Sequence, residues 1–426
     1  MEEEPSGRHR RGADRQSTYG EVIAIPEFRA LWSGQVLSLL GDQFAQIALA
    51  LLVYRETGST LATASVYALT YLPAIVGGPF LAGLADRFGR RRVMLGCDLI
   101  RALMVAIMVI PGLPFAVLGA LVFLVVLLSA PFSAARAALM PEILEGDRYV
   151  IGSALQNTTG QAVQTFGFIG GGALIMTIGP ERALAIDAFT FALSALIIFL
   201  GVRRRPAPGQ AGEVKPSMWA MTRAGTIMVF GDPKLRTLVL FAWLCGFYVL
   251  PEGLAVPYAT KLYDGTLAVE LVSGLLMAAM PVGTVIGALA FSRLVTPSGR
   301  LRAMGWMAML SCAPLIGCVF RPPLYAVLAL WVLSGIGGAY QLAANAAFVQ
   351  LVPAERRGQA FGLVQSGLMA AQGIAILIGG FAADRLGPEP VVAFSGVIGV
   401  TAAAVLAVLW TEIAGEGAES PAEATA

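Results

Sequence analysis

Acidic and amide side chains stand at helical intervals inside stretches that are otherwise apolar, and these are the residues that could do chemistry. Asp42 lies near the midpoint of the first stretch, with Gln35, Ser38 and Gln46 on the same face of a helix. A charge at the centre of a membrane costs about 2.5 to 3.5 kcal/mol, so it needs a cavity, a partner or a proton. We predict that Asp42 faces water and couples transport to a proton that it binds and releases. The alternative is an aspartate that stays hydrogen-bonded between helices.

Later apolar stretches carry amides and tyrosines at similar intervals. Glu252 stands one turn from Tyr248, between two prolines, and is the second candidate for proton coupling. Neutral amides beside aromatic rings suit a large ligand that is weakly polar or cationic. For any single amide, a hydrogen bond between helices explains its position equally well. The predicted lining of a substrate cavity is Gln35, Ser38, Gln46, Asn157, Gln161, Gln164, Tyr248, Tyr340, Gln341, Asn345, Gln365 and Gln372.

Several kinds of chemistry are disfavoured by what the chain lacks. The single histidine, His9, lies in a polar tail among arginines, so a zinc site or a hydrolytic triad would be hard to build. The four cysteines show no CxxC spacing, and no phosphate-binding loop sequence occurs. We therefore expect no enzyme, no metal and no cofactor. With 29 basic against 27 acidic residues, we also expect no nucleic-acid partner.

The elements that position these residues must lie in lipid. Hydrophobic residues make up 57% of the 426 residues and charged residues 13%, against about 25% charged in soluble domains. A bilayer core of about 30 Å needs roughly 20 apolar residues for each helical crossing. The sequence predicts an all-α integral membrane protein with twelve transmembrane helices at 28–54, 60–84, 93–111, 114–137, 150–178, 183–202, 235–259, 269–292, 303–320, 323–349, 358–383 and 390–411.

The basic residues predict the orientation of these helices. If the N-terminus is cytoplasmic, most of the 29 lysines and arginines fall on inside segments, and only Arg55, Arg182, Lys261, Arg321 and Arg385 fall outside. Such an asymmetry predicts a multi-pass protein of the cell inner (plasma) membrane, with both termini in the cytoplasm.

The chain also divides into two similar halves. The run Gly89–Arg92 after the second predicted helix recurs as Gly299–Arg302 after the eighth. Two six-helix halves with the same inside–outside orientation are typical of transporters that rock one bundle against the other around a central site. The predicted domains are a cytoplasmic tail (1–27), a first bundle (28–202), a cytoplasmic linker (203–234), a second bundle (235–411) and a C-terminal tail (412–426). The linker contains either a short interfacial helix or a solvated loop.

Three runs of the sequence resemble a known family. The run Gly83-Leu84-Ala85-Asp86-Arg87-Phe88-Gly89-Arg90-Arg91-Arg92 resembles the signature between helices 2 and 3 of the major facilitator superfamily. The runs Phe28–Asp42 and Tyr54–Ser59 are similar to its bacterial branch of macrolide-efflux and enterobactin exporters. The resemblance implies two pseudo-symmetric six-helix bundles, alternating access, no ATP hydrolysis and proton-coupled export of amphipathic molecules.

The signature is expected to act as a conformational latch formed by Gly83, Asp86, Arg87, Gly89 and Arg90. Gly83 would allow close helix approach, and Asp86 would face the positive end of a helix, which the resemblance identifies as helix 11. The alternative is a basic turn that only sets topology. A similar phrase, Gly380–Gly387, ends the eleventh helix on the outside and is expected to be a simple helix end.

Two departures from the family pattern weaken the case for its usual drug–proton relay. Helix 5 lacks the proline expected before Gly170-Gly171, and helix 4 carries its arginine, Arg136, at its inner end. Asp98 and Arg101 are spaced for a local structural ion pair, and Asp187 is expected to reach the outer interface.

The predicted function is a proton-coupled exporter of an amphipathic drug, antibiotic or siderophore. An uptake carrier or uniporter of the same fold is the alternative within transport. Outside transport, the alternatives are an intramembrane enzyme, disfavoured above, and a non-transporting receptor or scaffold. The expected partners are a small-molecule substrate, protons and membrane lipid, and the expected state is a monomer.

Overall fold

The computed structural model describes residues 18–73, 88–205, 218–263, 265–353 and 356–419, and in these ranges the chain is helical, without strands. Twelve spans are numbered here in chain order. Their helices are Pro26–Thr57 (span 1), Thr60–Ala68 (span 2), Arg90–Met108 (span 3), Phe115–Leu127 with Ser129–Ile143 (span 4), Asp147–Ile178 (span 5), Pro180–Gly201 (span 6), Pro233–Trp243, Cys245–Gly253 and Ala255–Leu262 (span 7), Val269–Leu294 (span 8), Pro297–Cys312 with the 3-10 helix Ala313–Phe320 (span 9), Leu324–Gly337 with Tyr340–Leu351 (span 10), Arg357–Leu386 (span 11) and Pro388–Glu419 (span 12).

Ten of the spans, within the described ranges, are long and apolar enough to cross a membrane. The two others have evident reasons to fall short. The described helix of span 2, Thr60–Ala68, is only 9 residues long, and span 3 carries three arginines in its first turn together with Asp98 and Arg101. Large apolar side chains such as Trp306 and Phe320 are exposed on the outside of the bundle, as expected for surfaces in lipid.

Within the described ranges, two helices lie outside the spans. Tyr19–Ile23 precedes span 1, and Met218–Gly231 occupies the linker. The linker therefore contains a helix, and its predicted position in the membrane interface stays a prediction. Val229 of this helix is fully buried, and the Phe230 ring lies 5.9 Å from that of Trp243, so the helix packs against span 7.

The two faces of the bundle are defined by where the spans end. The face where the linker joins spans 6 and 7 is called the linker face, and the opposite one the far face. Spans 1, 5 and 11 end at the far face on Gly58, Gly179 and Gly387. These glycines have φ of 63°, 85° and 88°, a left-handed conformation that favours glycine and stops a helix.

Spans 1–6 and 7–12 form two halves, which meet closely at small residues. A Cβ on Gly172 of span 5 would lie 3.0 Å from the Cα of Gly274 of span 8. On the other side of the molecule, a Cβ on Gly380 of span 11 would lie 2.4 Å from the Cβ of Ala64 of span 2. Small residues permit such crossings because the backbones can touch. Both crossings lie in the far-side part of the bundle.

Candidate functional site

A cavity of about 760 Å³ lies between spans 5, 7, 8, 10 and 11. Every lining residue lies in the part of its span nearer the linker face. Span 10 is broken at Gly338 and Ala339, and both residues of the break line the cavity. Broken helices of this kind are a feature of binding sites in membrane transporters. The volume suits a drug-sized ligand, for which pockets measure about 300 to 1,000 Å³.

The cavity wall is neutral. No charged side chain lines it among the residues that the structure describes, and its aromatic rings are those of Phe348 and Phe361. Four of the predicted cavity residues do lie together on it: Gln161, Gln341, Asn345 and Gln365. A wall of amides, rings and aliphatic groups can hold an amphipathic molecule without a fixed charge partner.

Other predicted cavity residues form the support behind this wall. The amide nitrogen of Gln341 donates to the hydroxyl of Tyr248 at 2.8 Å, which fixes the orientation of that amide. Tyr340 is fully buried, and its hydroxyl donates to the backbone carbonyl of Phe241 at 2.7 Å. The ring of Tyr248 meets that of Tyr340 edge-on, with centroids 6.4 Å apart. Tyr248 and Tyr340 thus join spans 7 and 10 beside the cavity.

The remaining predicted lining residues are placed elsewhere. Ser38 lies between Gly34 and Gly41 on the stripe of span 1 that packs against span 6, and it is 5% exposed. The buried side-chain oxygens of Gln35, Ser38 and Gln372 have no hydrogen-bond partner in the described part of the chain. The lining of the 760 Å³ cavity also does not include Gln46, Asn157 and Gln164. Span 1 therefore contributes nothing to this cavity, and a substrate role for these residues stays a prediction.

Asp42 belongs to a separate site inside the first half. Its carboxylate accepts a hydrogen bond from Nη2 of Arg101 in span 3 at 3.2 Å. The Arg101 guanidinium stacks on the ring of Phe191 in span 6, 4.0 Å from its centroid. Together with Asp98 and Asp187, described next, Asp42 and Arg101 form what is here called the charged cluster. Asp42 is 30% exposed, which makes it the most exposed member of the cluster.

Asp98 forms the local ion pair with Arg101 that the sequence predicts, whereas Asp187 does not reach the outer interface. Asp98 is fully buried and accepts a hydrogen bond from Ser194 at 2.7 Å, while its distance to Arg101 is 4.0 Å. The local pair of Asp98 and Arg101 is thus weaker than the contact of Arg101 with Asp42. Asp187 is 1% exposed, so the expectation that it reaches the outer interface was wrong. It turns inward because Gly41 of span 1 leaves room for its carboxyl group.

Glu252 occupies a third position, between the two halves. It is 7% exposed and accepts a hydrogen bond from the hydroxyl of Tyr67 in span 2 at 3.0 Å. The ring of Tyr71 lies 5.9 Å from that of Tyr67. A buried carboxyl group that joins spans 2 and 7 must change its surroundings whenever the halves separate on this side.

The predicted latch is described only in part. Gly83, Asp86 and Arg87 lie outside the described residues. Gly89 precedes the first turn of span 3, and Arg90 forms an ion pair with Glu142 and donates to the carbonyl of Ala138 at 2.9 Å. Both partners of Arg90 belong to span 4, so this part of the signature braces the first half internally.

Contacts across the two halves are found instead at the far face. Arg55, in the last turn of span 1, forms an ion pair with Glu270, in the first turn of span 8. Asp384, near the end of span 11, accepts hydrogen bonds from Ser59 Oγ at 3.0 Å, Thr60 N at 2.6 Å and Leu61 N at 3.1 Å. The expectation that this end of span 11 is a simple helix end was therefore wrong. The Asp384 carboxylate lies at the positive N-terminus of the span 2 helix.

A signal for Asp384 was present in the sequence. The phrase Asp384-Arg385-Leu386-Gly387 repeats the pattern Asp86-Arg87-Phe88-Gly89, and Ser59 is a standard residue at a helix N-terminus. A position outside the membrane does not exclude a role for Asp384, because a helix N-terminus attracts a carboxylate on either side of the membrane. No local sequence pattern indicates that Tyr67 donates a hydrogen bond to Glu252.

Comparison with known proteins gives consistent results. The family model of the Major Facilitator Superfamily matches residues 31–269 and 254–426. The multidrug efflux pump Tap of Mycolicibacterium fortuitum is 27% identical over 375 residues, covering 84% of this chain and 88% of that protein. Macrolide efflux protein A of Streptococcus pyogenes is 23% identical over 398 residues, with 87% and 93% coverage. The lysophospholipid transporter LplT of Cronobacter sakazakii is 28% identical over 342 residues, with 78% and 82% coverage.

Solved structures agree on the fold. A crystal structure of a POT family transporter superposes with a TM-score of 0.72 at 14% identity, covering 91% of this chain and 96% of that one. At this identity the likeness shows the arrangement of the helices alone.

Proposed function

Since this chain belongs to the Major Facilitator Superfamily, with twelve helices in two bundles, we propose that it is a proton-coupled exporter of amphipathic small molecules that works by alternating access. The observation that carries the proposal is the separation of two sites. A neutral cavity lies between the halves, and a charged cluster lies inside the first half. A neutral wall suits the substrate, whereas buried carboxyl groups suit a proton.

The state described here supports loading from the linker face. The cavity lies on the linker side, while the contacts across the halves named above lie on the far side. If the basic residues place the linker in the cytoplasm, this is the state in which an exporter takes up its substrate. Opening the far face would then release the substrate outside.

Two carboxyl groups are assigned to proton coupling. Asp42 can take a proton from water and would then weaken its pairing with Arg101. Glu252 stands at the junction of spans 2 and 7 and would be exposed to new surroundings when the far face opens. Both carboxyl groups are assigned to coupling because an unpaired charge is costly inside the bilayer, so that each group needs a partner or a proton.

The substrate class follows from the cavity and is supported by the relatives. Amides beside aromatic rings accept molecules with a large apolar part and scattered polar groups. The relatives named for multidrug and macrolide efflux favour such compounds. The relative named as a lysophospholipid transporter favours a lipid-like member of the same amphipathic class.

Transport into everted membrane vesicles tests the proposal. In these vesicles the linker face would point outward, and an inside-acid gradient would drive export into the lumen. We expect ethidium to accumulate when the gradient is imposed and to leave when nigericin dissipates it. Asp42→Asn should abolish gradient-driven accumulation and leave downhill equilibration measurable, because the cavity itself does not contain Asp42.

The alternatives give different outcomes in the same vesicles. Equilibration that ignores the gradient would indicate a uniporter, and movement of the dye only out of the lumen would indicate an uptake carrier. The absence of any flux of ethidium, erythromycin or a fluorescent lysophospholipid under all gradients would contradict transport and favour a receptor. Uptake of the lysophospholipid alone would assign the lipid-like substrate.

A further inference from the structure

We infer that Asp187 is a second proton-binding carboxyl group, which holds its proton in the described state and exchanges it with Asp42. The inference rests on the proposed function for its role in transport, but the protonation itself can be tested without a substrate. It goes beyond the coupling residues assigned above, because Asp187 touches neither the cavity nor the interface between the halves.

The position of Asp187 is unusually close to span 1. A Cβ on Gly41 would lie 2.2 Å from Oδ1 of Asp187 and 2.3 Å from Oγ1 of Thr190. The Asp187 carboxyl group interacts electrostatically with Asp42 and with Arg101, the ion-pair partner of Asp42, so the two carboxyl groups belong to one electrostatic site. Asp187 is 1% exposed.

The charged groups that face Asp187 come from two neighbouring spans. Span 1 contributes Asp42, and span 3 contributes Arg101, which also pairs with Asp98. Three carboxyl groups therefore share one guanidinium. If all three were ionised, the cluster would carry two uncompensated negative charges inside the membrane, which is energetically prohibitive without a proton or another cation.

The hydrogen bonds indicate which carboxyl group holds a proton. Asp42 has Arg101 at 3.2 Å, and Asp98 has the Ser194 hydroxyl at 2.7 Å with Arg101 at 4.0 Å. Asp187 has no ion pair in the described part of the chain, and its one side-chain partner is Thr190. Asp187 is thus the least compensated of the three.

The geometry at Thr190 fits a protonated partner. The hydroxyl of Thr190 has one hydrogen, and the backbone carbonyl of Asp187 at 2.8 Å is a closer acceptor than Oδ1 at 3.3 Å. When the hydroxyl donates to the carbonyl, its oxygen is free to accept from a protonated Asp187.

The exchange conserves charge. The proton leaves the carboxyl oxygen of Asp187 and binds a carboxylate oxygen of Asp42, so Asp187 becomes the carboxylate. Arg101 then loses its partner on span 1 and can pair with Asp187, which stands one turn from the Phe191 ring on which Arg101 stacks. A proton received from water at Asp42 can in this way be stored at Asp187, away from water.

Infrared spectroscopy of the purified full-length protein in liposomes tests the protonation. Protonated carboxyl groups have a carbonyl absorption that ionised ones lack. We expect Asp187→Asn to lose one such band at neutral pH. Asp232→Asn is the matched control, because Asp232 caps the first helix of span 7 at the linker face and should lose no band. An unchanged band in Asp187→Asn would overturn the inference.

Two further variants keep the test decisive. Thr190→Val should shift the frequency of the same band without removing it, because it changes the hydrogen bonding of Asp187 and keeps the carboxyl group; no shift would overturn the assignment to Asp187. Asp42→Asn should retain the band, and its loss there would place the proton on Asp42 instead.

The transport role has its own readout. With ethidium in proteoliposomes, Asp187→Asn should equilibrate the dye down its gradient but fail to accumulate it against one. Accumulation equal to that of the wild type would overturn the storage role. If the wild type itself does not respond to the gradient, the proposed function fails, while the infrared result still decides whether Asp187 holds a proton.

Discussion

At the scale of single residues, the membrane makes each buried charge depend on a small number of contacts. Arg101 is 6% exposed and contacts Asp42, Asp98 and the ring of Phe191, so one guanidinium organises three spans. Such a site responds to the loss of one partner, because the remaining charge is left unpaired in a medium that cannot solvate it. Gly41 belongs to the same site, since its missing side chain makes the space for Asp187.

Gly41→Ala tests this packing. The new methyl group would collide with the carboxyl of Asp187 and the hydroxyl of Thr190, and overpacking of this kind costs about 1 to 3 kcal/mol. We expect a lower melting temperature in detergent and reduced gradient-driven ethidium accumulation. Gly170→Ala is the control, because a Cβ at Gly170 meets nothing within 4 Å. Equal melting of the two variants would show that the carboxyl of Asp187 moves aside freely.

At the scale of elements, helix ends connect the two halves. Asp384 of span 11 accepts hydrogen bonds from the backbone of Thr60 and Leu61, and the ion pair of Arg55 with Glu270 joins spans 1 and 8. In both contacts the charge complements a helix dipole, with acids at N-termini and the arginine at a C-terminus. These contacts stabilise the closed far face and must break when it opens.

Asp384→Ala tests the contribution of this contact to closure. Loss of a helix cap costs about 0.5 to 2 kcal/mol. Because Asp384 contacts span 2 only when the far face is closed, its removal destabilises the closed state and leaves the open state unchanged. We expect a several-fold shift toward a far face that is open, seen as longer distances between spin labels at Glu56 and Tyr325.

Asp232→Ala provides a closely matched comparison. Asp232 also accepts from two backbone amides, Lys234 N at 2.7 Å and Leu235 N at 3.2 Å, but it caps a helix within one half. Its removal should leave the spin-label distances unchanged. If both variants gave the same distances, closure would not depend on Asp384.

At the scale of the whole molecule, the close contacts and the cavity lie on opposite sides. The halves meet at Gly172 with Gly274 and at Gly380 with Ala64, both toward the far face, while the 760 Å³ cavity lies toward the linker face. Alternating access then consists of separating these crossings and closing the cavity from the other side.

Cross-linking of the halves tests whether this separation is required. Arg55→Cys with Glu270→Cys, joined by a bifunctional thiol reagent, should reduce ethidium transport to background, and reduction of the link should restore it. The four native cysteines are buried and out of reach of a hydrophilic reagent. A link between Glu27→Cys and Arg205→Cys, an ion pair within the first half, should leave transport active. Transport by the Arg55–Glu270 cross-linked protein would contradict the rocking of the halves.

Much of the fold could be predicted because it depends on local composition. Runs of about 20 apolar residues, the glycines and prolines at their ends and the excess of basic residues on one side are all readable along the chain. Some observed spans begin and end within a few residues of the predicted ones, as for span 5 at Asp147–Ile178 and span 8 at Val269–Leu294, whereas span 12 runs on to Glu419, eight residues past its predicted end.

The candidate site could be predicted only as a set of residues. The types and spacing of the amides Gln161, Gln341, Asn345 and Gln365 indicate a shared lining, and three spans bring them to one cavity. Span 1 was expected there as well, but its polar side chains turn elsewhere: Ser38 packs toward span 6, and Asp42 pairs with Arg101 of span 3. Helical periodicity shows which residues share a face and cannot show which neighbour that face meets.

What the sequence alone determined is the solvent of this protein, its all-helical crossings, its two similar halves and the few acids that lipid does not tolerate unpaired. The tertiary structure decided the partner of each acid. Arg101 and Asp42 are 59 residues apart, Asp98 and Ser194 are 96 apart, and Asp384 and Thr60 are 324 apart. Such contacts depend on how the helices pack against one another, and helix packing is set by small residues and shapes that no local pattern encodes.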